Sequence, residues 1–183
     1  FVFLLVFFFQ QSLATDSLSI NKSKLRTKLI WGAEALTYAT TYTGLYFLWY
    51  DGYPQSRFHG FNDSKEWLQI DKCGHAYSSY WIARLNHSVL RWSGETEKRA
   101  LVLGTLSSWM FISTIEIFDG FSSEWGASYT DVVANTSGAL LFAIQQHYWK
   151  EQKILYKFSY YPSDYPQYRP DALGSNFTEH VLK

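Results

Sequence analysis

Asp71, Lys72 and His75, in the stretch DKCGHAYSSYW, put a carboxylate, an amine and an imidazole within one helical turn, directly ahead of an aromatic run. Residues four apart share a helix face, so Asp71 and His75 are neighbours and Lys72 joins them from the flank. Glu116 and Asp119 stand three apart at the end of the apolar run LVLGTLSSWMFISTIEIF. Asp131 and Asn135 are four apart at the start of the next segment, and Gly138 continues their stripe. A single helix-break-helix corner separates Glu116 from Asn135, so the three sets meet at one end of a bundle if the helix carrying Asp71 runs antiparallel to a neighbour. Isolated charge is costly to bury, and such a cluster persists only if its members pair, hold an ion or open on water.

Each chemistry makes its own demands on the residues. A di-iron carboxylate bundle needs Glu-x-x-His on two of its helices, and the chain contains none. Zinc through Asp71, His75 and Glu116 is geometrically open, but there is no His-Glu-x-x-His, no cysteine pair and no second convergent histidine, so no metal or other cofactor is assigned. His75 held by Asp71 is half of a base and orienter pair, with Ser78 or Ser79 one turn on, yet no nucleophile elbow of the G-x-S-x-G type is present. Structural roles account for several members singly. Asp131 suits the third position of a helix capped by Ser128, Asn135 can satisfy a backbone group, Gly138 allows close packing, and Asp119-Gly120 suits a helix-end turn. Glu116, deep in an apolar stretch, has no local partner. These residues point to a binding or structural cluster, with catalysis as the alternative.

The elements that would position this cluster are helical. Lys22 to Tyr50 is a basic start leading into an apolar stretch, ended by Asp51-Gly52-Tyr53-Pro54. A second helix is predicted from about Ser64, a cap with Glu66 in the first turn, to Trp92; a third from Glu95 to about Phe118; and a fourth from Tyr129 to about Lys157. No segment alternates strongly enough for a sheet. The predicted architecture is an all-α, mostly antiparallel four-helix bundle over residues 22–157, preceded by a signal peptide at 1–14 and followed by a Tyr- and Pro-rich extended arm at 158–183.

Composition narrows the setting. Sixteen basic residues balance sixteen acidic ones, so a nucleic-acid footprint is not expected. Aromatic residues make up 20% and charged residues 17% of the chain, the latter against about 25% in typical soluble domains, which favours a membrane or interface. The lone Cys73 closes no intrachain disulfide. All five asparagines, at 21, 62, 86, 135 and 176, fall in N-x-S/T sequons, a coincidence that abundant Ser and Thr make easy.

DKCGHAYSSYW and EIFDGFSSEWGASYTDVVANTSGAL resemble the YfiM-like family of predicted periplasmic lipoproteins of unknown function, over roughly Ile30 to the end. In that family the arm continues further, which implies a chain clipped at both ends. A more distant resemblance is to the VanZ-like membrane proteins, which show Asp-Lys-x-x-His, a later Glu and Asp-x-x-x-Asn-x-x-Gly in the same order. Here those positions are Asp71, Lys72, His75, Glu116, Asp131, Asn135 and Gly138. The resemblances place a polar site without assigning it a reaction. The reading of the residues is an exported, membrane-associated envelope protein with membrane lipid and a small envelope ligand as expected partners, and the alternative is an envelope enzyme acting on a lipid or cell-wall intermediate through that cluster. A lipoprotein carries Cys directly after its signal, where this chain has Thr15-Asp16.

Overall fold

Helix α1 (Lys24–Leu45) continues through one π-helical turn to Tyr50, and is followed by α2 (Ile70–Trp92), α3 (Glu97–Phe121) and α4 (Tyr129–Tyr148) in this computed structural model. The structure describes residues 24–63, 69–159 and 164–168. The signal peptide at 1–14, the Ser64 cap with Glu66, the sequons at Asn21 and Asn176 and the arm beyond 168 lie outside the described residues.

The four helices pack against one another as the sequence predicts. Consecutive helices are antiparallel: the end of α2 meets the start of α3 at His87 and Glu97, and the end of α3 meets the start of α4 at Glu116 and Ser128. Helices α2 and α4 therefore run parallel, with Ala76 beside Gly138 and Tyr80 beside Phe142. Helix α1 lies more loosely on this trio. Tyr42 stacks on Phe118, and Arg26 sits 4.8 Å over the Trp92 ring.

Two helix-to-helix backbone approaches are close enough to require glycine. A Cβ on Gly138 would stand 2.0 Å from the Ala76 carbonyl oxygen, and one on Gly104 would stand 2.7 Å from the His87 amide nitrogen. Small residues let the backbones come this near, and the interior is lined accordingly by Ala76, Ser79, Ser108, Ala134, Asn135 and Ala139. Ser108 donates to the Ser79 carbonyl and Ser79 to the Asn135 carbonyl, both at 2.7 Å, so hydroxyl groups link α3, α2 and α4 in sequence. The larger core residues, Tyr80, Trp81, Leu101 and Phe142, gather in a separate aromatic cluster.

The helix boundaries correct the sequence in two places. The second helix starts at Ile70, because Gln69 has φ 65°, a left-handed conformation that an α-helix does not pass through. The fourth stops at Tyr148, nine residues before Lys157, and Lys150 follows with φ 59°. The chain then doubles back on the bundle: Gln145 accepts from the Ile154 amide at 2.7 Å, and Trp81 donates to the Tyr156 carbonyl at 3.0 Å. Side chains of the core thus satisfy backbone groups that a longer helix would have satisfied itself.

A two-residue parallel ladder, absent from the sequence expectation, pairs β1 (Gly60–Phe61) with β2 (Ala127–Ser128). Short as it is, this ladder fixes the loop before α2 against the start of α4.

Candidate functional site

Ser128 caps α4 by accepting from the Asp131 amide at 3.2 Å. In a capping box the acid three residues on would return a bond to the Ser128 amide. Here Glu116, from α3, does so instead, accepting that N–H at 3.0 Å with Oε2. The substitution frees the Asp131 carboxylate to face α2, where its Oδ1 lies 2.6 Å from Lys72 Nζ.

Lys72 sits among three acids. Besides Asp131 it pairs with Asp71, at 3.0 Å, and with Asp63. Asp63 also accepts from Ser128 and Thr130 hydroxyls, each at 2.8 Å. Burial alone would raise the Asp63 pKa, but the bonds from Lys72, Thr130 and Ser128 outweigh it and hold the carboxyl at about 2. Burial likewise opposes the charge on Lys72, and its contacts with Asp131, Asp63 and Asp71 reverse the direction and raise its pKa.

His75 occupies the next turn. Its Nδ1 lies 3.0 Å from Asn135 Oδ1, and because a carbonyl oxygen only accepts, Nδ1 is the donor. Nε2 then points between Asp71 Oδ1, at 3.5 Å, and Glu116 Oε1, at 3.7 Å. Glu116 is buried, and Oε1 receives no hydrogen bond. The arrangement is a shallow well: Asp71 forms the rim with a side chain 47% exposed, Lys72 and His75 form the walls at 13%, and Asp131 and Glu116 form the floor.

The carboxylates do not sit comfortably as charges. Burial pushes Glu116 up to about 8, helped by the charges of Asp131, Asp119 and Asp71 and opposed by the Ser128 amide. Asp119 is pushed up to about 6, again chiefly by burial, although the Tyr50 hydroxyl bonds to it. Burial raises Asp131 too, against the pull of Lys72.

Of the sequence-predicted residues, Asp71, Lys72, His75, Glu116, Asp131 and Asn135 come together directly, and Asp119 lies beside them with its carboxylate turned to Tyr50. Asp63 and Tyr50 were not among them. Asp63 reads as part of a polar and aromatic connection, and only the β1 and β2 ladder carries it to Lys72; an acid directly ahead of a helix bearing a buried lysine is the one available hint. Tyr50 closes α1, and nothing local marks it as a partner of Asp119.

Behind Asp119 the chain forms an aromatic groove of about 310 Å³ between the π-helical turn and the end of α3, walled by Tyr46, Tyr50, Tyr53, Ile117, Phe118 and Phe121. Trp125 meets Tyr50 and Tyr53 edge-on there. At the opposite end of the bundle His87, Arg91 and Gln146 all contact Glu97, at 3.1, 3.1 and 2.9 Å, a network that closes on itself. Asn86, bonded to Glu34 and Ser107, and the buried Asn135 are both committed inside the fold, which supports reading these two sequons as coincidence.

Residues 59–147 match the family described as Predicted periplasmic lipoprotein (DUF2279). The chain is similar to that lipoprotein family. The matched range begins just before β1 and stops one residue short of the end of α4, so it encloses the whole polar well from Asp63 to Asn135 and leaves out α1. No curated protein and no solved structure matches the chain. The lipoprotein family is one of unknown function, and the match supports an exported protein of the periplasmic envelope without indicating an enzyme.

Proposed function

We propose that this protein is a membrane-associated component of the cell envelope that uses the well between α2, α3 and α4 to bind a small polar envelope component. The carrying observation is the unsatisfied Glu116 Oε1 on the floor of that well, facing an imidazole nitrogen that does not reach it. A cluster evolved only to staple helices would close on itself, as the Glu97 network at the other end does. The resemblance to YfiM-like and VanZ-like proteins belongs to this reading, since the seven positions of the VanZ-like pattern lie on the helices that build this cluster.

The distribution of apolar surface supports the membrane half. Val102, Leu106, Met110, Ile117 and Phe121 form an exposed stripe on α3, matched by Val133, Leu140 and Ile144 on α4 and by Leu25, Leu29 and Leu36 on α1. The most apolar 18-residue window of α3 has a mean hydropathy of 1.6, and only 28% of that window is buried. Large aliphatic residues on the outer faces, over small and polar contacts where the helices approach closely, suit contact with lipid. Fractionated cells should therefore retain the chain with membranes through a high-salt wash and release it in detergent; recovery in the salt-washed soluble fraction contradicts association.

The binding half is tested by Glu116→Gln. Gln keeps an oxygen for the Ser128 amide and adds a donor that can face His75, so stability, read by denaturant unfolding, should hold or rise by about 1–2 kcal/mol. A loss of that size would identify the cluster as a staple.

A further inference from the structure

We propose that the well is a divalent transition-metal site, in which His75 Nε2, Asp71, Asp131 and Glu116 Oε1 supply the ligands. Asp71, His75 and Asp131 each present a ligand atom, and these atoms lie within 4.8 Å of one another. The Nε2 to oxygen separations of 3.5 and 3.7 Å are too long for hydrogen bonds. They match the roughly 3–4 Å between two ligands of one ion when each metal bond is about 2.0–2.2 Å.

The second observation is independent of that spacing. Glu116 is 4% exposed, and its Oε1 takes no hydrogen bond although the other oxygen is firmly held by the Ser128 amide. A carboxylate oxygen without a hydrogen bond is thereby fixed 3.7 Å from His75 Nε2, beside the Asp71, His75 and Asp131 group. Asn135 supplies the outer contact that metal-bound histidines ordinarily have: it accepts from Nδ1, which sets the ring orientation and turns the Nε2 lone pair toward the three acids. Lys72 does not fill this role, because its ammonium engages the other side, through Asp63, Asp71 Oδ2 and Asp131 Oδ1. One imidazole with several carboxylates favours a borderline ion such as Zn²⁺ over Mg²⁺, which takes oxygen ligands and retains its waters. The sequence discouraged zinc for want of a second histidine; convergence of Asp131 with Asp71 and His75 supplies the ligands from elsewhere.

This inference rests on the binding reading above, with the metal as the ligand or as its anchor. The test uses the full chain in detergent, stripped with a chelator and then titrated with ZnCl₂, with CoCl₂ as a spectroscopic substitute and MgCl₂ as control. Zinc should bind one per chain and raise the melting temperature by roughly 5–10 °C at a hundredfold excess over its Kd, and cobalt should give visible bands of a protein-bound ion. Asp71→Asn, at the half-exposed rim, should fold normally and lose the zinc-dependent shift and the cobalt spectrum; His75→Ala should lose both as well. No stoichiometric zinc on the wild-type chain, or equal uptake by Asp71→Asn, overturns the proposal. Zinc failure with a stable Glu116→Gln removes the metal and leaves the binding reading intact, whereas a destabilised Glu116→Gln measured without metal removes both.

Discussion

Gly138→Ala loses about 3 kcal/mol of folding stability, the upper end of what overpacking ordinarily costs. The expectation runs against local propensity, since alanine in a helix interior is normally favoured over glycine by about 1 kcal/mol. Its cause is the contact between α2 and α4. The added methyl would stand 2.0 Å from the Ala76 carbonyl oxygen, 2.8 Å from its carbon and 2.9 Å from its Cα, and backbone cannot rotate away as a side chain can. The helices must separate, which draws His75 from Asn135 and breaks the Ser79 bond to the Asn135 carbonyl. Gly74→Ala is the matched control. It lies in α2, the partner helix of that contact, meets nothing within 4 Å, and should gain up to about 1 kcal/mol. Unfolding curves for the two variants should move in opposite directions; a Gly138→Ala curve superimposed on wild type would refute the tight α2 and α4 packing.

Lys72→Met is expected to cost about 3–5 kcal/mol, the usual penalty for removing one partner of a buried ion pair. Among the described residues Lys72 is the one ammonium paired with Asp63, Asp71 and Asp131. Asp131 and Asp63 are mostly shielded from water and would keep their desolvation cost without compensation, while Asp71 at the rim can turn outward. Methionine preserves the apolar stem, so the loss reads the charge alone. If Asp63→Asn is then added, one orphaned acid is gone and part of the stability should return. A Lys72→Met variant as stable as wild type, by urea midpoint, would show that the three acids do not depend on it.

These two residues also mark how much of the molecule was legible in the sequence. Four helices were readable because apolar runs end at recognisable breaks, Asp51-Gly52-Tyr53-Pro54, Ser93-Gly94 and the corner after Phe121. Helical spacing made Asp71 with His75, and Asp131 with Asn135, readable as pairs. The end of α4 was not readable, because residues 149–157 carry no strong breaker, and the stop depends on Gln145 and Trp81 binding the returning chain. Asp63 was hidden for a similar reason: its place beside Lys72 is set by a two-residue ladder too short to leave a periodic signature. The role of Glu116 was half visible. Its isolation in an apolar run singled it out, but its replacement of the capping acid on another helix is a tertiary fact.

Electrostatics explains why the cluster persists in this form. Among the described residues five carboxylates gather at this end: Asp63, Asp71 and Asp131 pair with Lys72, whereas Glu116 and Asp119 do not. Asp63 is held low by its donors, and Glu116 and Asp119 are held high by burial, so the protein accommodates the acids by making their environments unequal. Such separation of similar groups is common at functional sites. Here it accompanies a fixed, donor-free and buried oxygen beneath a half-exposed Asp71.

The most direct test of a well held open for a ligand is equilibrium urea unfolding of wild type, Glu116→Gln and Lys72→Met side by side, in one detergent and without added metal. A ligand site predicts opposite signs: Lys72→Met falls by about 3 kcal/mol or more, while Glu116→Gln holds or rises by about 1–2 kcal/mol. Losses of similar size in both variants would contradict the account and make the cluster a staple between helices.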